Sequence, residues 1–114
     1  MEHAENLRNG IRFMRTLSPQ IRASQIDLLL TVYLSPGITQ RDLAIECNVS
    51  TSTISKAVDV FAPQAKQNKN NRLANIWRTE RCPDDERLIQ IYTTTEGQTI
   101  IKLFLDASYV SPLS

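Results

Sequence analysis

Histidine is almost missing from this 114-residue chain, His3 being the only one. That absence argues against a histidine-dependent hydrolase and against zinc held by the usual Cys/His sets. Cysteine is scarce as well. Cys47 and Cys82 make no disulfide framework, and no Cys/His cluster has metal-ligand spacing. No apolar run approaches the ~18 residues of a membrane helix. The opening MEHAENLRNG also lacks the basic and then apolar order of a signal peptide. The chain is therefore expected in the cytoplasm, with no membrane partner. A glycine-rich phosphate loop is lacking, as is a nucleophile with a base. Asp84, Asp85 and Glu86 read as a turn rather than a pair of working carboxylates. The expectation is a non-enzyme with no catalytic residue, no metal and no cofactor.

What is present is one globular domain, 41% hydrophobic and 22% charged, with room for one core but not two. Its formal charge of +1 hides an uneven distribution. Residues 65–81 hold Lys66, Lys69, Arg72, Arg78 and Arg81 against Glu80 alone, a local +4. Residues 24–64 hold Arg41 and Lys56 against Asp27, Asp42, Glu46 and Asp59, a local −2. A concentrated positive segment suits a polyanionic partner, although a solvated Lys/Asn loop has the same composition.

The stretch ITQRDLAIECNVSTSTISKAVDVF, Ile38 to Phe61, predicts two short helices joined by a tight turn. Thr39 with Asp42 is a capping-box spacing. Ser50 is the natural N-cap of the second helix, and Val49 with Ile54 fits a hydrophobic staple around it. Asn48 between them tolerates a left-handed backbone. Leu43, Ala44, Cys47, Val49, Ile54, Ala57, Val58 and Phe61 can all face inward. Thr51, Ser52, Thr53, Ser55 and Lys56 are left outside, hydroxyls plus one cation. That face suits phosphates and base edges, and equally the solvent side of a plain helical hairpin.

Around this stretch the periodicity predicts a helix over residues 3–17, with Leu7, Ile11 and Met14 on one stripe. After Ser18 and Pro19, Ser24 and Asp27 offer a capping box for a core helix that ends at Ser35-Pro36-Gly37. Pro63 closes the second helix of the pair. Ala65 to Ala74 reads as an exposed loop. Asn75 to Arg81 and Leu88 to Thr93 read as two strands, joined by a turn at Cys82 to Glu86. A last helix starts at Thr95, with Ile100, Leu103, Phe104 and Ala107 on its stripe, and ends by Pro112. Trp77 reads as a plug between hairpin and core, and Tyr33 and Tyr92 as core or boundary residues.

Two strands around a turn, directly after two capped helices, make a wing. PDDERLIQIYTTTEG resembles the wing signature of MarR-type winged-helix regulators, with Pro83, Asp85, Arg87, Thr94 and Gly97 at the family spacing. Ile38 to Phe61 is similar to the family's helix-turn-helix, and the resemblance covers roughly residues 22–105. Departures are Thr93, where a leucine is usual, and the ten residues Ala65 to Ala74, where the family has a short glycine turn.

The resemblance implies an α+β fold, mostly helical, with a two-stranded β-hairpin wing and flanking terminal helices. It implies one winged-helix domain over residues 1–114, with 24–94 as helix-turn-helix and wing, and 1–23 and 95–114 as terminal helices for dimerisation. By that resemblance the chain is a transcriptional regulator that binds palindromic double-stranded DNA as a homodimer, its effector unspecified. The second helix would enter the major groove and Arg87 the minor groove, with Asp85 holding Arg87 by an ion pair. The candidate DNA-contacting residues are then Thr39, Gln40, Ser50, Thr51, Ser52, Thr53, Ser55, Lys56, Lys66, Lys69, Arg72, Arg78, Arg81, Asp85 and Arg87. One branch of the family senses oxidants through cysteine. Here Cys47 suits packing, and Asp84 and Asp85 oppose a thiolate at Cys82. Alternatives are a winged-helix protein-interaction module, or a replication or partition factor of a mobile element.

Overall fold

Caps and turns divide the chain into elements before any distant contact forms. The computed structural model describes residues 2–62 and 73–108. Its helices are α1 (Glu2–Leu17), α2 (Ala23–Leu34), α3 (Gln40–Cys47), α4 (Thr51–Phe61) and α5 (Thr95–Ser108). Its strands are β1 (Ile38–Thr39), β2 (Trp77–Arg81) and β3 (Ile89–Thr93).

Helix α2 begins earlier than the Ser24/Asp27 spacing predicts. Its N-cap is Arg22, whose backbone N–H donates to Gln25 Oε1 at 2.9 Å. A carboxamide three residues on satisfies the orphan donor, so Ser24 and Asp27 are not needed for it. Pro19 sits in the turn before α2. At the other end Gly37 has φ +85°, and a Cβ there would stand 3.1 Å from the Tyr92 hydroxyl. Both the left-handed backbone and the close ring call for glycine.

The Gly37 N–H donates to Ile91 O at 2.9 Å, which brings the chain onto the edge of the hairpin. The result is a third strand that the two-stranded expectation lacked. The order is β1–β3–β2, all antiparallel, with Ile38 and Thr79 both opposite Ile91. Two residues are too few for alternation to show, so β1 left no pattern to read. Strand β2 starts at Trp77 rather than Asn75, and β3 at Ile89 rather than Leu88.

The core gathers Leu28, Leu29 and Val32 of α2, Leu43 of α3, Ile54 and Phe61 of α4, Trp77, Ile91, and Ile101 of α5. Side chains of this size contribute roughly 1.5–3 kcal/mol each when fully buried. Phe61 meets Trp77 edge to face, ring centres 5.1 Å apart and planes at 73°, so the end of α4 is tied to the start of the wing. Leu73 and Ala74 are buried too, which corrects the reading of Ala65 to Ala74 as exposed throughout. Two apolar residues at its end are drawn into the core that Trp77 enters. Residues 65–72, like Pro63 and Pro112, lie outside the described residues.

Helices α1 and α5 pack on each other, and only part of each stripe is buried in the chain. Gly10 and Met14 are the buried residues of α1, while Leu7 and Ile11 remain 54% and 40% exposed. On α5, Gly97, Ile101 and Phe104 are buried, and Leu103 is 49% exposed. A Cβ at Gly10 would lie 1.7 Å from Ser108 Oγ and 3.3 Å from Phe104 O. Glycine lets the two backbones approach there, and that approach selects the buried faces. No helix among the described residues is long and apolar enough to cross a membrane.

Candidate nucleic-acid interface

Local chemistry builds the helix pair. Thr39 Oγ1 accepts from Asp42 N at 3.0 Å and starts α3. Asn48 takes φ 55° and ψ 49°, and its N–H donates back to Ile45 O. Ser50 then starts α4, its Oγ accepting from Thr53 N at 3.1 Å. Burial of Ile54, Ala57, Val58 and Phe61 turns the opposite side of α4 outward. Thr51, Ser52, Thr53, Ser55 and Lys56 all lie on that exposed side.

Hydroxyl counting separates these residues. Ser50 Oγ lies 3.0 Å from Ser52 Oγ and 2.9 Å from Thr53 Oγ1. With one hydrogen and two lone pairs, and one pair taken by Thr53 N, it donates to one neighbour and accepts from the other. Ser50 is therefore filled by its own neighbours. It orients Ser52 and Thr53, which keep unused capacity facing out. Thr39 is similarly committed as a cap. Gln40, beside it at the start of α3, is partly exposed.

The wing carries the second feature. Arg87 Nε donates to Asp85 Oδ1 and Nη2 to Oδ2, each at 3.0 Å, and the Arg87 N–H donates to Oδ1 at 3.1 Å. This two-pronged bond fixes a guanidinium that is still 89% exposed at its side chain. The loop beneath is closed by Cys82 N to Leu88 O and Leu88 N to Asp85 O, both 2.9 Å. The Arg87 side chain, and then its backbone N–H, hold the Asp85 carboxyl below its ordinary range. Asp85 in turn raises Arg87. The lowered carboxyl means that the pair is fully made above the ordinary Asp range and is lost as pH falls through the depressed value.

Other cations on the wing are partly engaged. Arg78 pairs with Glu80 and stacks 4.2 Å from the centre of the Tyr92 ring. Arg81 Nη1 donates to Glu86 O at 3.1 Å. At the foot of the wing, Thr94 Oγ1 accepts from Gly97 N at 2.9 Å and donates to Asn75 O. A Cβ on Gly97 would stand 2.3 Å from Ile76 O, which is why glycine closes the motif. Cys47 is a packing residue, its Sγ donating to Thr31 Oγ1 at 3.4 Å, and burial pushes its thiol pKa up. Cys82 is half-buried in the wing turn.

The structure thus gathers Ser50, Thr51, Ser52, Thr53, Ser55 and Lys56 on one exposed face and Asp85 with Arg87 at one wing tip. Lys66, Lys69 and Arg72 lie outside the described residues. Missed in the sequence was Arg22, which lines a cleft together with Lys56. No local signal would have found it, because the cleft exists only where α2 meets α4.

A capped helix pair followed by a hairpin that packs back on the core is a winged helix-turn-helix. No protein-family model matches the sequence, and no curated protein matches it. Solved structures do. MarR itself superposes with a TM-score of 0.65 at 23% identity, over 91% of this chain and 70% of that one. The transcriptional regulator Tm0710 from Thermotoga maritima gives 0.69 at 18%, over 90% of this chain and 64% of that one. MepR of S. aureus, solved as a DNA complex, gives 0.67 at 19%, over 88% and 73%. The chain has the MarR-type winged-helix fold. It spans about two thirds of the length of these proteins.

Proposed function

We propose that the chain is a sequence-specific, duplex-DNA-binding transcriptional regulator that acts as a homodimer on a palindromic operator. The observation that carries this reading is the exposed Arg87 guanidinium, held by Asp85 at the wing tip of a chain whose second capped helix has an outer face of hydroxyls and Lys56. Helix α4 enters the major groove, where Ser52, Thr53 and Lys56 read base edges and Thr51 and Ser55 lie near phosphate. Gln40 meets the backbone from the start of α3. Arg87 enters the minor groove, and Arg78 and Arg81 add charge along the wing. Lys66, Lys69 and Arg72 supply further backbone contacts.

Exposed Leu7, Ile11 and Leu103 on the terminal helices support dimerisation there. Met14 and Phe104, expected at the same surface, are only 1% and 5% exposed within the chain itself and belong to its own core.

Selection of duplexes from a random pool on the purified protein tests the reading. The proposal expects an enriched palindrome, bound by a species of twice the chain mass in sedimentation. Replacing Ser52 and Lys56 together by Ala should abolish discrimination between selected and random duplex with little change in thermal midpoint. Arg87→Ala should weaken binding and make the salt slope shallower by about one unit. Unselective wild-type protein would leave the protein-interaction reading in its place.

A further inference from the structure

Beside the exposed face of α4 lies a cleft of about 450 Å³, walled on its other side by the α1–α2 turn and the first turn of α2. Ser18, Arg22 and Ser24 line one wall, Thr53 and Lys56 the other, with Leu28 among the apolar residues between them. Two features point to an anion. The lining, among the described residues, contains two cations and no carboxylate. Among the described residues, neither Arg22 nor Lys56 has an ion-pair partner. Ser24 lies inside the first turn of α2 rather than at its N-cap, and its exposed side chain lines the cleft.

We infer that this cleft seats a backbone phosphate of the duplex, on the flank of the recognition helix that faces the start of α2; the inference rests on the DNA-binding reading above. The choice of occupant follows from dimensions. An α-helix with its side chains is about 10–12 Å across and the major groove about 12 Å wide. A helix that fills the groove therefore has a phosphate strand along both flanks. One flank of α4 carries Thr53, Lys56, Ala57 and Val60 at spacings of three and four, and all four line the cleft. Lys56 stands at the junction, between the groove floor and the cleft. Arg22 and Ser24 then add an element, the start of α2, to the DNA-contacting surface.

Two exposed positions test this in the intact chain. Arg22→Gln removes the charge, and Ser24→Asp brings a negative one to the mouth. In a salt series on a selected duplex and on random duplex, Arg22→Gln should reduce the slope by about 0.9, the loss of one neutralised phosphate. It should also weaken both duplexes alike, since a backbone contact carries no base information. Ser24→Asp should weaken binding roughly fivefold or more, the size of one Coulomb contact near 4 Å in water. Its thermal midpoint should hold or rise, because an acid in the first turn suits a helix N-terminus. Opposite signs for stability and binding rule out simple unfolding.

If wild-type protein binds duplex while both variants keep its affinity and slope, the cleft is not a phosphate seat and the DNA reading survives. If wild-type protein shows no salt-dependent duplex binding, both fall. A titration with inorganic phosphate, followed by the amide signals of residues 22–25, separates the remaining source. Saturable binding that Arg22→Gln abolishes, with an unaltered DNA salt slope, would assign the cleft to a free anion and overturn the inference.

Discussion

The helix-turn-helix and the terminal helix pair are held by different means. In residues 38–61 each junction is closed by a bond between near neighbours: Thr39 with Asp42, Asn48 with Ile45, Ser50 with Thr53. The α1–α5 pair depends on one seam between opposite ends of the chain, where Gly10 meets Ser108 and Phe104. A locally closed unit presents the same outer face whatever packs behind it. A seam of distant residues takes its orientation from the contact itself, and its apolar remainder, Leu7, Ile11 and Leu103, is left outside. The local unit is suited to holding hydroxyls in register, and the seam to meeting another surface.

The largest effect should come from Phe61, where the helix-turn-helix joins the wing. Phe61→Ala removes the edge contact to Trp77 and should cost about 3–5 kcal/mol in urea unfolding. A loss under about 1 kcal/mol would mean that α4 and the wing are not coupled through this ring pair. Next is Gly97→Ala, with its Cβ 2.3 Å from a backbone carbonyl that no side-chain rotation can move. Helix propensity returns up to about 1 kcal/mol, so a net loss of about 1–3 kcal/mol is expected. An unchanged midpoint would show that α5 shifts freely against the wing.

Ser50→Ala sharpens the comparison from the other side. Loss of the cap should cost about 1 kcal/mol. In filter-binding assays it should also lower the preference for a selected duplex, since Ser52 and Thr53 lose their common partner. Wild-type selectivity in this variant would mean that the hydroxyl chain does not orient the readers. The smallest effect is expected at Gly10. Gly10→Ala gains helix propensity but must turn the Ser108 side chain aside, leaving a midpoint within about half a kcal/mol of wild type. The double variant with Ser108→Ala loses the Oγ overlap but keeps the Cβ at 3.0 Å, so it should be more stable than Gly10→Ala alone. A Gly10→Ala loss as large as that of Gly97→Ala would show that the seam is as unyielding as the foot of the wing, and the contrast would collapse.

The accuracy of the sequence reading follows the same division. Thr39, Asn48 and Ser50 could be assigned because each cap is decided within three or four residues, where hydrogen-bonding type and backbone preference suffice. Asp85 and Arg87 were legible for the same reason, two residues apart on one turn. Ser24 and Asp27 failed as a cap because two overlapping spacings competed and the Arg22–Gln25 pair won. The stripe Leu7, Ile11, Met14 was divided, with Met14 buried within the chain and Leu7 and Ile11 left outside. Periodicity finds an apolar face wide enough to bury but not which part of it will be buried, and glycine carries no hydrophobic signal although Gly10 marks the closest approach.

By itself, then, the sequence determined the elements, the capped turn and the wing tip, because those depend on short-range geometry and on side chains that bond their own neighbours. Tertiary structure alone decided the third strand, the burial of Leu73 and Ala74, and the faces that α1 and α5 present to each other. It alone also brought Arg22 across from Lys56. The physical reason is the length of the contact. A hydrogen bond across three residues is available to the chain before it folds, whereas a cleft between α2 and α4 has no existence until a common core has drawn the two helices together.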